Sequence, residues 1–428
     1  MYVVPKELYI TNRNKVIKHF PKENAVIMLK GDITSTRYDC VFEQNSNFRY
    51  LFGVNLPDCY GIIHLKTNKT ILFIPKKFKD LVYKYVNGNH VDKMSNIKND
   101  FGIDVIAFTD QLYEFFTTES IKKFYVLNVS VLDFNKLPKL VTVNDTLLKD
   151  VLTASRVIKS SYELVLMKHI NDISSAAHSE LQKLIHPGLN EYQLESLFNH
   201  HIYFYGHCRH PAYAGICASG TDASVLHYIS NHKRMENGTI ALIDMGAQYA
   251  GYISDITQTI PVNRKFDSKQ REIYGMVLKV HNIILKTIKP GMKWSDIGKF
   301  CDFMIVSELL DHGFLKGSIQ ELINNELYYY FMPHKLAHFI GLEVHDVGNL
   351  YGKYELLQPG MTLAMEPGIY FNKDLMHVLI KNENMKKYVN FNKVKQYQYI
   401  GGMRVESNII ITNNGIDVMT SVNRSFGL

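Results

Sequence analysis

Four carboxylates and one histidine stand inside otherwise apolar, strand-like segments. They are Asp244 in Ala-Leu-Ile-Asp-Met-Gly, Asp255 in Tyr-Ile-Ser-Asp-Ile-Thr, His338 in Lys-Leu-Ala-His-Phe-Ile, Glu366 in Leu-Ala-Met-Glu-Pro-Gly and Glu406 in Met-Arg-Val-Glu-Ser. An ionised carboxylate buried without a partner is costly, so such groups pair, neutralise or bind cations. Four of them in one place demand positive charge, and two divalent cations would supply it. The set points to a metal-activated hydrolase.

Each residue alone also has a plainer reading. Asp244 and Asp255 form Asp-x10-Asp across a stretch rich in Ile, Thr, Val and Tyr. A hairpin turning near Tyr249-Ala250 would place them roughly opposite on one face. Like charges so placed repel, and a cation between them reverses the sign. Two turn-flanking acids are the plain alternative. His334, His338 and His345 fall within twelve positions, dense for core filler. His334 and His338 have the spacing of a helical zinc motif, but Lys335 stands where that motif needs its glutamate, so the zinc-protease reading fails. At most one or two of the three should bind metal, leaving the others for substrate or transition state. Arg404 and Glu406 share a strand face at spacing two, and a simple ion pair would explain them. Together the five favour a two-metal centre, where water ionises near neutral pH to a bridging hydroxide. One imidazole among oxygen ligands suits manganese, cobalt or zinc.

These residues need a large scaffold. The chain has 428 residues, 46% hydrophobic and 21% charged, which implies a folded protein of two domains. The net charge of +7 comes from scattered lysines, a solvated surface rather than a nucleic-acid footprint. Cys40, Cys59, Cys208, Cys217 and Cys301 are widely spaced and odd in number, so neither a disulfide framework nor a cysteine–zinc site is expected. The N-terminus lacks a signal-like apolar core and no run approaches a membrane span, so a soluble cytoplasmic protein is expected.

Residues 1–155 read as a smaller mixed α/β domain, a scaffold or partner-contacting unit. Strands are expected at Asn24–Lys30 and Phe124–Val129, and a hairpin at Tyr60–Pro75 turning at Asn68. Residues 156–428 open with a capping box, Ser160-Ser-Tyr-Glu163, and a helix striped by Leu164, Met167, Ile170, Ile173 and Ala177. It stops at Pro187-Gly188, and a second helix follows through Leu194, Leu197 and Phe198. About a hundred residues later the pattern returns. Asp267 caps a helix carrying Ile273, Met276, Val277, Val280, Ile284 and Ile288. Pro290-Gly291 stops it, and a helix through Ile297, Phe300, Phe303 and Met304 follows. Each helix pair leads into strand-rich sequence, which suggests an internal duplication.

The order Asp-x10-Asp, Pro-His-x3-His, Met-Glu-Pro-Gly and Arg-Val-Glu resembles the pita-bread metallopeptidases, and within them the prolidase group. Thr36-Arg-Tyr, Phe42–Phe48, Leu51–Val54, Asp58–Gly61, Arg209–Tyr213, Val225–Tyr228 and Phe331–His334 extend the likeness over nearly the whole chain. The resemblance implies an α/β (α+β) fold. Its C-terminal pita-bread domain would be a pseudo-twofold repeat of helices on a curved, mostly antiparallel sheet. It implies metal-dependent hydrolysis of Xaa-Pro dipeptides, or, as the alternative, removal of the residue before proline from longer peptides as aminopeptidase P does. Methionine aminopeptidase lacks such an N-terminal domain, and creatinase lacks the ligands. A non-catalytic peptide-binding module would have lost them. The resemblance further implies a homodimer holding two ions per subunit, manganese above cobalt or zinc. Asp244 would bind one ion, Asp255 and Glu406 both, and His338 and Glu366 the other. Glu366 would also carry a proton from water to the leaving proline nitrogen. His227 and His345 would stabilise substrate charge, and Arg404, Tyr213 and His334 would line the substrate pocket. Two departures stand out. Lys335 and Ala337 replace the glycines of the family's His-Gly-x-Gly-His. The short stretch Tyr351–Gln358 lacks the arginine that grips the proline carboxylate, leaving Lys353 as the nearby cation.

Overall fold

The structure is a computed structural model describing residues 2–33, 41–80 and 94–428. Cys40 and the Thr36-Arg-Tyr segment lie outside the described residues. The chain divides into two compact units, residues 2–163 and 164–428.

The first unit is built on a six-stranded sheet. Its elements are α1 (Lys6–Ile17), β1 (Ala25–Lys30), α2 (Ser46–Phe52), β2 (Tyr60–His64), β3 (Lys69–Ile74), α3 (Met94–Phe101), β4 (Val105–Phe108), α4 (Leu112–Thr118), β5 (Lys123–Tyr125), β6 (Thr142–Asn144) and α5 (Leu147–Val157). The strand order is β4-β3-β2-β1-β5-β6. β2 pairs antiparallel with β1 and β3, while β4, β5 and β6 join in parallel, so the sheet is mixed. The β2–β3 hairpin turns at Asn68, whose φ of 57° a short polar side chain tolerates. β1 reads Ala-Val-Ile-Met-Leu because both faces are covered. Val26 and Met28 pack with Phe73, Phe116 and Phe124 in one core cluster, and Ala25, Ile27 and Leu29 are buried as well.

The second unit repeats one plan. Its first half contains α6 (Ser161–Leu184), α7 (Glu191–Phe204), β7 (His210–Pro211), β8 (Ile216–Ser219), β9 (Ile240–Asp244), β10 (Ala247–Tyr249), β11 (Tyr252–Ile253) and β12 (Thr257–Pro261). The second half holds α8 (Ser268–Thr287), α9 (Trp294–Asp311), α10 (Ile319–Asn324), β13 (Ala337–Phe339), β14 (Thr362–Met365), β15 (Gly368–Tyr370), α11 (Lys373–Lys381), α12 (Phe391–Tyr397), β16 (Gly402–Arg404), β17 (Ser407–Ile411) and β18 (Ile416–Val418). Every pairing of these named strands is antiparallel. Both capping signals form: Ser160 and Glu163 bond each other's backbone amides, and Asp267 does the same with Gln270.

The duplication extends to single backbone contacts. Gly188 and Gly291, at φ 97° and 84°, end the two long helices. Asn190 then bridges to Arg234, and Lys293 to Leu356. The shift of 103 residues separating Pro187 from Pro290 also separates His178 from His281. His178 Nε2 donates to the Met245 carbonyl at 2.9 Å, and His281 Nε2 lies 3.1 Å from Ser407 Oγ. Each long helix is therefore tied to its own half through one buried histidine, the first at Met245 just after β9 and the second at Ser407 of β17.

Two helix faces differ from the expected stripes. On α6, Leu164 and Ile173 are only half-buried, and the inward face carries Leu166, Met167, Ile170 and Leu181 beside Asn171, Ser174, Ser175, His178 and Gln182. The polar set bonds the underside of the sheet: Ser174 Oγ meets Ser254 Oγ at 2.7 Å and accepts from the Ala247 amide, and Gln182 reaches Gln258 at 2.8 Å. On α9, Phe303 is 41% exposed, and Ile297, Cys301, Ile305 and Leu309 face inward. Apolar and polar residues are mixed around that helix, so periodicity does not select the face.

Candidate active site

The five residues converge, but not from strand interiors. Asp244 is the last residue of β9, and Asp255, Glu366 and Glu406 lie in short irregular breaks before β12, after β14 and before β17. Only His338 is inside a strand, β13. In the ladders, alternate backbone groups are consumed by neighbours, whereas breaks let carboxylates turn toward one point. The hairpin turns at Ala250-Gly251, with φ of 51° and 87°. Asp244 faces Thr257, and continuing that register puts Asp255 opposite Gly246. The two acids are thus diagonal neighbours on one face rather than directly opposite. Gly246 is obligatory here, because a Cβ would lie 1.8 Å from the Ser254 carbonyl oxygen.

A cavity of about 310 Å³ opens over this face, at the small end of the range for small-ligand sites. Its walls include Asp244, Asp255, His338, Glu366 and Glu406 together with Leu226, His227, His334, Lys335, Ala337, His345 and Arg404. The sequence-predicted site residues therefore share one cavity, with Tyr213 as the exception. Tyr213 lies against the acids: its hydroxyl is 2.7 Å from Asp244 Oδ1 and also contacts Asp255 Oδ1. A phenol there buttresses two carboxylates instead of lining the substrate space.

Arg404 likewise differs from the simple ion pair with Glu406. Its Nη2 meets Asp244 Oδ2 at 2.7 Å, Nη1 donates to the Tyr370 hydroxyl at 2.9 Å, and Nε donates to Thr257 Oγ1 at 3.1 Å. Thr257 in turn donates to Glu406 Oε2 at 2.7 Å. Asn408 clamps Asp255 through its main chain, accepting from its amide at 2.9 Å and donating to its carbonyl at 2.7 Å. Thr257, Asn408 and Tyr370 were missed from sequence. Thr257 and Asn408 each stand two residues beyond a candidate ligand, and that spacing could have found them.

The electrostatics show a shortage of positive charge. Burial raises Asp244 to about 6, with Asp255 adding repulsion and Arg404 opposing both. Burial raises Glu366 to about 7 against the pull of His338 and Arg404. Glu406 is pushed well up by burial and by the neighbouring Asp255, Asp244 and Glu366. Burial also disfavours charge on Asp255 and on His338, but their mutual contact at 3.5 Å reverses both outcomes. Asp255 is held below its ordinary value, and His338 rises to about 9.

The donor set fits divalent metal. Asp255, His338 and Glu406 each offer a ligand atom within 4.8 Å of the others. Glu406 Oε1 is buried and has no hydrogen-bond partner among the described residues, an acceptor left for a cation. His338 Nδ1 donates to the Phe339 carbonyl at 3.0 Å, so the neutral tautomer aims the Nε2 lone pair into the cluster.

Histidines shape the mouth. His345 packs edge-on against His338 with ring centroids 4.4 Å apart, and burial and that neighbour lower its pKa. His227 is exposed on the loop following β8. His334 has both ring nitrogens engaged, Nδ1–H on the Lys335 carbonyl at 2.9 Å and Nε2 on the Tyr370 hydroxyl at 2.8 Å. Burial, aided by Arg404, lowers it to about 4, so it is neutral and braces the wall.

Glu191 was also missed. Fully buried, it accepts from the Ser219 amide and hydroxyl, the Tyr228 hydroxyl and the Lys233 amide at 2.6–3.0 Å. These bonds anchor both sides of the loop that carries His227. Replacing Glu191→Ala leaves four donors without their acceptor, an expected loss of about 3 kcal/mol in stability. Urea unfolding with an unchanged slope checks this.

Comparison with known proteins places this geometry in context. Residues 165–413 match the model of metallopeptidase family M24, and residues 9–124 match the aminopeptidase P N-terminal domain. The chain is 32% identical to a human Xaa-Pro dipeptidase over 464 residues, covering 99% of this chain and 92% of that one. It is 31% identical to a probable Xaa-Pro aminopeptidase of Verticillium alfalfae, covering 94% and 90%. Among solved structures, E. coli aminopeptidase P with the inhibitor Pro-Leu superposes with a TM-score of 0.85 at 28% identity, covering 98% of this chain and 96% of that one. Aminopeptidase P II from Yersinia pestis gives 0.82 at 27%, covering 97% and 96%.

Proposed function

The chain belongs to metallopeptidase family M24, and from that premise we propose that it is a dinuclear-metal Xaa-Pro dipeptidase. The observation that carries the reading is the meeting of five ligand-type side chains at one cavity, with Glu406 Oε1 buried and unpartnered among the described residues. Asp244 would hold one ion, Asp255 and Glu406 both, and His338 and Glu366 the second. Bound there, divalent cations supply Lewis-acid polarisation of the scissile carbonyl and a lowered pKa for water. The oxygen-rich set suits manganese.

The chain's own residues do the rest. Tyr213, Thr257 and Asn408 hold the acids in place, and Arg404 keeps Asp244 oriented. His227 and His345 offer N–H donors to the substrate oxygen that gains charge as the carbonyl becomes tetrahedral. Glu366 accepts a proton from the attacking water on a carboxylate oxygen and delivers it to the leaving nitrogen. An Xaa-Pro nitrogen bears no hydrogen and must gain one to leave as the secondary amine of proline.

Residues 1–155 form the accessory domain and 156–428 the catalytic one in this reading, and the protein works as a cytoplasmic homodimer, as the family resemblance implies. Among the described residues no helix is long and apolar enough to cross a membrane. A second reading, aminopeptidase P activity on longer peptides, draws on the Verticillium relative and the E. coli structure. Turnover of Ala-Pro against Ala-Pro-Leu separates the two. The dipeptide is expected to have the higher kcat/KM, and cleavage of the tripeptide alone overturns the dipeptidase reading.

A further inference from the structure

A dipeptide differs from a longer peptide by the carboxylate that follows its proline ring. An enzyme that prefers dipeptides needs a cation there, and Lys353 was the nearest by sequence. Its ammonium instead lies 5.8 Å from the ring of its neighbour Tyr354. The cations lining the cavity are Arg404 and Lys335. Arg404 is 3% exposed, and all three of its nitrogens are engaged by Asp244, Tyr370 and Thr257. A substrate carboxylate would have to displace them.

Lys335 has the opposite character. It is exposed on the cavity rim, and among the described residues no carboxylate lies within ion-pair distance of it. Its backbone is nevertheless held firmly. Arg404 Nη1 donates to the Tyr370 hydroxyl, which bonds His334 Nε2, while His334 Nδ1–H holds the Lys335 carbonyl. Its ammonium stands 4.1 Å over the ring of Tyr351. That contact restrains the long stem while leaving N–H donors for an acceptor, because a cation–π contact uses the ring face and not a lone pair.

We propose that Lys335 is the specificity-determining residue that receives the substrate's terminal carboxylate, with Tyr351 holding its ammonium at the cavity rim. The assignment rests on the reading of this site as an Xaa-Pro peptidase. It makes the site polar in one direction. Lys335 attracts the peptide's carboxylate end and repels its ammonium end. Lys335 thereby supplies at the cavity the charge that Lys353, lying beside Tyr354, does not bring there.

The test compares Ala-Pro with Ala-Pro-amide, which differ only in that charge, on the metal-loaded protein and its Lys335→Met and Lys335→Arg variants. The ratio of kcat/KM for acid over amide is expected to fall about tenfold in Lys335→Met, mostly through KM, as for loss of one partly exposed charged hydrogen bond. Lys335→Arg should recover most of it. Titration calorimetry with free proline and prolinamide should show the same split in affinity without turnover. Equal ratios in wild type and Lys335→Met, or equal calorimetric losses for proline and prolinamide, overturn the assignment. Failure of wild type to cleave any Xaa-Pro peptide would instead sink the proposed function, and the calorimetric comparison would still decide the role of Lys335.

Discussion

Asp255→Asn is expected to lower hydrolysis of Xaa-Pro peptides on the order of 10³-fold, or roughly 4 kcal/mol of transition-state stabilisation, without unfolding the protein. The substitution keeps volume and removes one charge. Asp255 is placed by Asn408 through main-chain amide and carbonyl, and neither bond depends on the side chain. The new amide can still accept from Tyr213 through its oxygen. What it would lose is the negative charge that the proposed metal site would draw on. Metal content by emission spectroscopy should fall below that of the wild type, while circular dichroism stays that of the wild type. Undiminished hydrolysis of every Xaa-Pro substrate by this variant would remove the dinuclear mechanism.

Chelation should abolish activity and lower the melting temperature on the order of 10 °C. In the metal-free protein the cluster must keep Asp244, Glu366 and Glu406 beside Asp255 with Arg404 and a protonated His338 as counter-charges. Its raised carboxyl pKa values are the cost of that shortage. A ligand that binds only the folded state stabilises it by roughly 4 kcal/mol at a thousandfold excess over its dissociation constant. For a unit of this size each kcal/mol moves the midpoint roughly 2–4 °C. Calorimetric scans of chelated and manganese-reconstituted protein read the shift directly. An unchanged midpoint, with activity that survives dialysis against chelator, would show that the acids are not metal ligands.

Much of the site was legible in the residues themselves. An acid inside an apolar run is a local anomaly that no packing context is needed to notice, and all five candidates meet at one cavity. The helix caps and the twice-written Pro-Gly stops were legible for the same reason, since capping and left-handed glycine act within a few residues. The hairpin of the first unit followed from Asn68 between two apolar runs.

Partner choice was not legible. By spacing Arg404 and Glu406 would share a strand face, yet Arg404 ends β16, Glu406 lies in the break before β17, and Arg404 reaches across to Asp244, because its neighbours are set by the pairing of β15 with β16 and by the approach of β12. Tyr213 was read as pocket lining and lies against the acids. The apolar stripe of α6 gave no sign of its polar inward residues, whose acceptors and donors come from the sheet packed on it.

The same division holds for the two departures, Lys335 and the arginine-poor stretch around Lys353. The sequence by itself determined which residue types this protein brings to its chemistry, because charge in an apolar setting is a property of a few neighbours along the chain. Only the tertiary structure decided that Lys335 and not Lys353 stands at the cavity, and that Arg404 is already occupied. Those facts depend on register and approach between strands and loops far apart in sequence, which no local pattern encodes.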